Sequence, residues 1–128
     1  MSVINDVFQA VITLANATTP YSNVVIGSLP AANGISMAIS TGGAKVTHFD
    51  KGMIYTLDIV LNGKHSNQQT VSDTLNDIHH ALTKALSYPK TSAYQIIDIE
   101  TNGAPGYIDR EDNQWLYGSG LTVKFYYK

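Results

Sequence analysis

Histidine gives this chain its widest chemical reach, as a general base or a neutral metal ligand, and there are four: His48, His65, His79 and His80. Either role needs two or three such groups, or a carboxylate, converging on one face. The spacing does not provide that. His79 and His80 are adjacent, about 100° apart around a helix, whereas a shared ion calls for residues at i and i+4. His79 follows the apolar Ile78 and reads as a partly buried flank of the core, with His80 on the surface. The chain has no cysteine, which removes thiolate ligands, disulfides and thiol nucleophiles together.

Nucleophilic catalysis would start from His48 and Asp50 with a serine, yet no serine stands in a Gly-x-Ser-x-Gly elbow. Gly118-Ser119-Gly120 comes nearest, lacks the flanking pattern, and reads as a flexible turn before the final strand. The glycines at 42, 43, 103, 106, 118 and 120 form neither GxGxxG nor a Walker loop, so no phosphate cradle is indicated. These residues indicate no catalytic, cofactor-binding or metal site, and a chain that is not an enzyme. A ligand-binding module would instead need a pocket with convergent polar groups, for instance around His48 and Asp50.

Two features suit contact better than catalysis. Asp98, Glu100, Asp109, Glu111 and Asp112 concentrate five of the ten acids between positions 98 and 112, without the alternation of oxygens and glycine that an EF-hand requires. That stretch reads either as a solvated loop between strands or as the acidic lining of a channel. Trp115 and Tyr117, just ahead of the last strand, can close the edge of the core or anchor a protein interface. Val3, Val7, Phe8 and Val11, on a broad apolar stripe, carry the same two readings: burial, or contact with a neighbouring subunit.

The elements that must position these residues follow from periodicity. The apolar pairs Val3/Ile4, Val7/Phe8, Val11/Ile12 and Leu14/Ala15 predict an amphipathic helix, with Ser2 as its N-cap and Pro20 as its stop. Positions 17–34 predict a loop enclosing a short strand at Val24, Val25 and Ile26. Alternation at Ile35, Met37 and Ile39, and again from Met53 to Leu61, predicts two strands, with a further short one near 44–49 and a turn at Asn62-Gly63. Val71, Leu75, Ile78, Leu82 and Leu86 mark one side of a helix within 66–88, capped by Ser66 or Asn67 and ended by Pro89. Ile97 and Ile99 alternate along the next strand, a loop through Gly103, Pro105 and Gly106 follows, and Leu121, Val123, Phe125 and Tyr127 face one way along a terminal strand. Without regular βαβ alternation this is an α+β fold, a mainly antiparallel sheet backed by two helices, in a single domain over 1–128.

Composition narrows the function. Eight basic against ten acidic residues give a formal charge of -2, the wrong sign for gaining affinity by releasing counterions from DNA, so sequence-specific nucleic-acid binding is disfavoured. Only 14% of residues are charged, against about 25% in an ordinary soluble domain, and a neutral polar surface suits subunit packing. The opening MSVINDVFQAV has no basic segment and is broken by Asn5, Asp6 and Gln9, so neither a signal peptide nor a membrane span is expected there.

The order of these elements carries a resemblance. The opening helix, the passage through Asn33-Gly34-Ile35-Ser36 into a strand, Tyr55-Thr56-Leu57-Asp58-Ile59, the helix over 71–86 and the ending Gln114-Trp115-Leu116-Tyr117-Gly118-Ser119-Gly120-Leu121 resemble the minor capsid proteins that serve as tail terminators in long-tailed bacteriophages. The resemblance implies a structural protein of a phage or phage-tail-like particle whose subunits join head to tail in a hexameric ring. The ring would sit on the head-proximal end of the tail tube, stop tube polymerisation and offer the docking surface for a head-completion or connector protein. The implied partners are other copies of the chain, the tail-tube protein and the head-completion protein, with DNA passing through the channel and no membrane involved. The implied location is the head–tail junction of the virion, after assembly in the host cytoplasm. A head-tail adaptor would share the small size, the sheet and the ring.

Overall fold

The computed structural model describes residues 3–29, 33–49, 52–111 and 113–127, with 41–49, 52 and 53 described as backbone. The opening apolar pairs form α1 (Val3–Asn16), with Asp6 in the first turn near the positive end of the helix dipole. Ser2, expected as the cap, lies outside the described residues. At the other end Asn16 Oδ1 accepts the Val24 N–H at 2.8 Å, fastening α1 to the short strand β1 (Val24–Ile26). The chain continues through β2 (Gly34–Phe49), β3 (Gly52–His65), α2 (Gln68–Thr83), β4 (Tyr94–Glu111) and β5 (Gln114–Tyr127). Asn67 caps α2, its side-chain oxygen accepting the Thr70 N–H at 3.1 Å.

The strands form one sheet in the order β1-β2-β3-β5-β4, parallel between β1 and β2 and antiparallel elsewhere. The α+β class, with two helices and a mainly antiparallel sheet, is therefore the one the chain adopts. Register divides the sheet into two faces. Ile35, Met37, Leu57, Ile59, Leu61, Leu121, Val123 and Phe125 point to one side, where they join Val7, Val11, Val71, Leu75 and Ile78 of the helices in a single core cluster. The other face carries Thr56, Asp58, Val60, Asn62, Thr122 and Lys124, and neither helix packs on it.

Several elements differ from the sequence expectation, each for a local reason. Asn62-Gly63 is not a turn: β3 runs through it, and Gly63 pairs with Ile35 and Tyr117. A Cβ on Gly63 would stand 2.8 Å from Val71 Cγ2 and 3.2 Å from Leu75 Cδ2, so the glycine admits α2 to the sheet. The two strands expected over 35–39 and 44–49 are one, β2, whose register against β3 shifts between Ile39 and Ala44. α2 stops at Thr83, one turn early: Lys84 leaves helical geometry at φ −110° and ψ 11°, and the Tyr88 hydroxyl donates to Leu82 O at 2.8 Å, satisfying a carbonyl of the last turn. Leu86 is consequently fully exposed rather than buried on the helix. A register shift between Ile96 and Asp98 turns Ile97 outward and leaves Ile96 and Ile99 in the core. Gly103, Pro105 and Gly106 lie within β4, not in a loop, and Gly118-Ser119-Gly120 lies within β5, not in a turn.

Tyr21 locks the loop before β1 to the sheet. Its hydroxyl lies 2.9 Å from both Gly34 O and Lys64 O and accepts the Lys64 N–H at 3.1 Å; burial pushes its pKa up to about 12. The same hydroxyl would be 3.3 Å from a Cβ on Gly63. Gly63→Ala is thus expected to overpack the contact among β3, α2 and Tyr21 and to cost about 1–3 kcal/mol, measured as a lower midpoint in urea unfolding with an unchanged slope.

Candidate functional site

The described polar group that comes nearest to catalytic chemistry is centred on His79. This residue sits on the sheet side of α2 and is 5% exposed. It lies beside a cleft of about 480 Å³ lined by Asp77, His80, Thr83, Thr101 and Pro105 among others. Its Nε2 is 2.8 Å from Ser119 Oγ and its Nδ1 is 2.8 Å from Thr101 Oγ1. Ser119 Oγ also donates to Leu61 O at 3.0 Å. A hydroxyl has one proton, and here the Leu61 carbonyl takes it. His79 therefore donates through Nε2–H to Ser119, and the Thr101 hydroxyl donates to Nδ1. That assignment opposes a serine nucleophile activated by histidine, in which the proton would run from serine to Nε2. The arrangement is a clamp: one imidazole joins α2 to β3, β4 and β5. Burial holds the imidazole pKa below its usual value. His80, as expected, is exposed.

The glycines beside Ser119 have a separate task. Gly118 and Gly120 face the helix-free side, where a Cβ would collide with the Ile108 side chain at Gly118 and with Asn102 Oδ1 at Gly120. Asn102 in turn donates to Thr122 Oγ1 at 2.8 Å, and Thr122 donates to Asp58 at 2.8 Å. Small, polar, small is thus an alternation: two gaps that receive side chains of β4 on one face, and one hydroxyl holding His79 on the other.

The expected contact residues separate. Val7, Phe8 and Val11 are buried in the chain's own core, so of these four only Val3 keeps appreciable exposure, as Ile4 and Leu14 also do along the stripe. The stripe is consumed by the sheet beneath it. Tyr117 is buried, its hydroxyl accepting from Gln68 Nε2 at 2.8 Å; Trp115 is partly buried against the core. The acids are not in a loop. Asp98, Glu100, Asp109 and Glu111 lie along β4, an outer edge of the sheet, and the turn to β5 falls at 112–113, with Asn113 at φ 68°. Glu111 comes within 3.8 Å of Lys64. Asp112, Asp50 and the side chain of His48 lie outside what is described. Among the described residues, no cluster of three or more His, Asp and Glu is arranged to hold a metal ion.

What the sequence did not reveal is the arm formed by the far ends of β4 and β5. There Tyr107 packs edge-on against Trp115 and Tyr117, at ring-centroid distances of 5.8 Å and 6.1 Å, and the Arg110 guanidinium lies 4.8 Å above the Trp115 ring.

The His79 clamp sets a pH dependence. Because its folded pKa is depressed, the unfolded chain binds the proton more readily; the clamp's contribution is complete above pH 6.5 and is lost as pH falls below that value toward the folded pKa. Urea midpoints between pH 7.5 and 5 should drop more steeply in the native chain than in His79→Gln, which keeps a donor and an acceptor without titrating; parallel pH curves would show that His79 does not govern the slope.

No protein-family model and no curated protein matches the chain. Its shape does match a solved structure: a chain from the virion of a native gene transfer agent (GTA) particle superimposes with a TM-score of 0.62 at 10% sequence identity, over 91% of this chain and 84% of that one. The likeness is one of fold.

Proposed function

We propose that the chain is a non-catalytic structural subunit of a phage-like particle, which assembles with its own copies into a ring at the head-proximal end of the tail tube, ends tube growth and offers the surface on which the head docks. The observation that carries this reading is the fold shared over nearly the full length of this chain with a chain of a virion. The element order that resembles tail terminators supports the finer role. The arrangement around His79, whose hydrogen bonds serve cohesion, supports a structural rather than catalytic part. Six copies related by rotation need two different complementary patches on each subunit. In this reading the helix-free face of the sheet, which bears Asp58, Asp98, Glu100 and Asp109, turns toward the channel, where like charge keeps DNA sliding instead of sticking.

Deletion of the gene from its parent phage or tail-encoding cluster, followed by electron microscopy of the lysate, tests the role. Tails of uncontrolled length are the expected result. Tails of normal length beside unattached heads would identify an adaptor instead, and intact infectious particles would overturn the assembly reading. Replacing Glu100, Asp109 and Glu111 with neutral residues should slow DNA ejection from the particles that assemble; unchanged ejection would remove the channel-lining role.

A further inference from the structure

Seven large apolar side chains are exposed among the described residues, and six of them lie on the two outer edges of the sheet. Val25, Ile26 and Ile39 belong to the β1–β2 edge; Ile97, Tyr107 and Ile108 belong to β4. Ile26, Tyr107 and Ile108 are each more than half exposed, at 56%, 55% and 56%. Beside Ile26 and Ile39 a groove of about 390 Å³ opens toward α1, lined also by Phe8 and Ala38, with Asn5 and Gln9 at its rim. Edge strands with this much apolar surface are sites at which another chain can add.

The register shows that the two edges match in height. Traced across the sheet, Gly106 is level with Gly118, Asn62, Ser36 and Val25, so Tyr107 and Ile108 stand one and two positions along from the exposed valine of the far edge. By the same tracing Asp98 is level with Lys124, Thr56 and the backbone of position 45, and Asp98, Lys124 and Thr56 share the helix-free face. Charge is complementary as well. β4 carries Asp98, Glu100, Asp109 and Glu111 against Arg110, four negative to one positive, or −3; β1 and β2 together carry Lys45 alone, or +1 with His48 neutral. Direction agrees too: β2, β3, β5 and β4 alternate, so a β4 laid beside the next copy's β1 runs antiparallel to it.

From these features we infer that the β4 edge of one copy docks on the β1–β2 edge of the next, Tyr107 and Ile108 packing on Val25, Ile26 and the adjoining groove. The occupant of the groove is thus a second copy of this chain, joined head to tail. The inference rests on the ring proposed above only for the idea that copies meet; the choice of surfaces comes from the chain itself. The arm is already braced by the Tyr107, Trp115 and Tyr117 rings, so little ordering cost remains for docking.

The absence of cysteine provides a clean background for cross-linking. Ile26→Cys and Ile108→Cys alter exposed side chains and leave the core intact. With a short bis-maleimide across a concentration series, each variant alone should remain uncoupled, their mixture should give covalent dimers, and the double variant should give a ladder that ends at a closed ring. Coupling of I108C with itself would establish a two-fold contact and overturn the inference, as would the absence of coupling in the mixture at every concentration. Asp98→Lys, which lowers the negative charge of the β4 edge, should weaken association; unchanged association would remove the charge complementarity. Tail lengths in the deletion strain report on the ring's role independently, so a failed joint and a failed terminator reading give different results.

Discussion

A helix comes closest to a strand where the strand lacks a side chain beneath it, and in this chain Gly63 provides that gap. Val71 and Leu75 descend over it, Tyr21 fits beside it, and the rest of the core takes its spacing from that contact. With α2 at this depth, His79 reaches Ser119 and Thr101 and ties the helix to strands far apart in sequence. The two contacts complement each other: the glycine sets how near the helix comes, and the imidazole sets where along the sheet it stops. Apolar packing alone would fix the first more firmly than the second, because burial has no direction while a hydrogen bond does.

The consequence is a sheet with unlike faces. One is sealed by two helices and holds the large aliphatic side chains; the other stays free of helices and is furnished with threonines, carboxylates and lysines. Where the outer strand needs support on that open side, it gets it from within: Asn102 and Ile108 rest in the spaces left by Gly120 and Gly118. The open face is thus braced laterally, not from above, and remains free along its length.

Much of this was legible in the sequence where period and burial coincide. The paired apolar residues from Val3 to Ala15, the i, i+4, i+7 spacing from Val71 to Leu82 and the alternation ending at Phe125 all became the elements they suggest, because each buries a single continuous face. The errors gathered at glycine. Gly63, Gly103, Gly106, Gly118 and Gly120 read as turns, since glycine permits any backbone conformation. In the folded chain they are extended strand positions, and at Gly63, Gly118 and Gly120 the missing Cβ makes room for a neighbour's side chain. That neighbour is distant in sequence, so no local pattern announces it. Leu86 shows the converse: its spacing continued the helix, but Tyr88 had already taken a terminal carbonyl. The contact surfaces were hidden for a related reason. The stripe on α1 allowed burial or contact until the sheet beneath it was known, and the exposed pair Tyr107 and Ile108 lay in what seemed a loop.

The four irregularities of register along β4 have a colloidal consequence. An outer strand of eighteen residues with apolar side chains would be a hazardous template, offering a long row of unpaired backbone groups on which chains could stack into cross-β fibrils. The irregularities divide its pairing with β5 into uninterrupted runs of at most four residues. Each bulge bends and twists the strand, so a flat strand from an unfolded chain cannot lie along it for any distance. An edge of this kind can recognise a partner shaped to its bends and still refuse the straight, indiscriminate one.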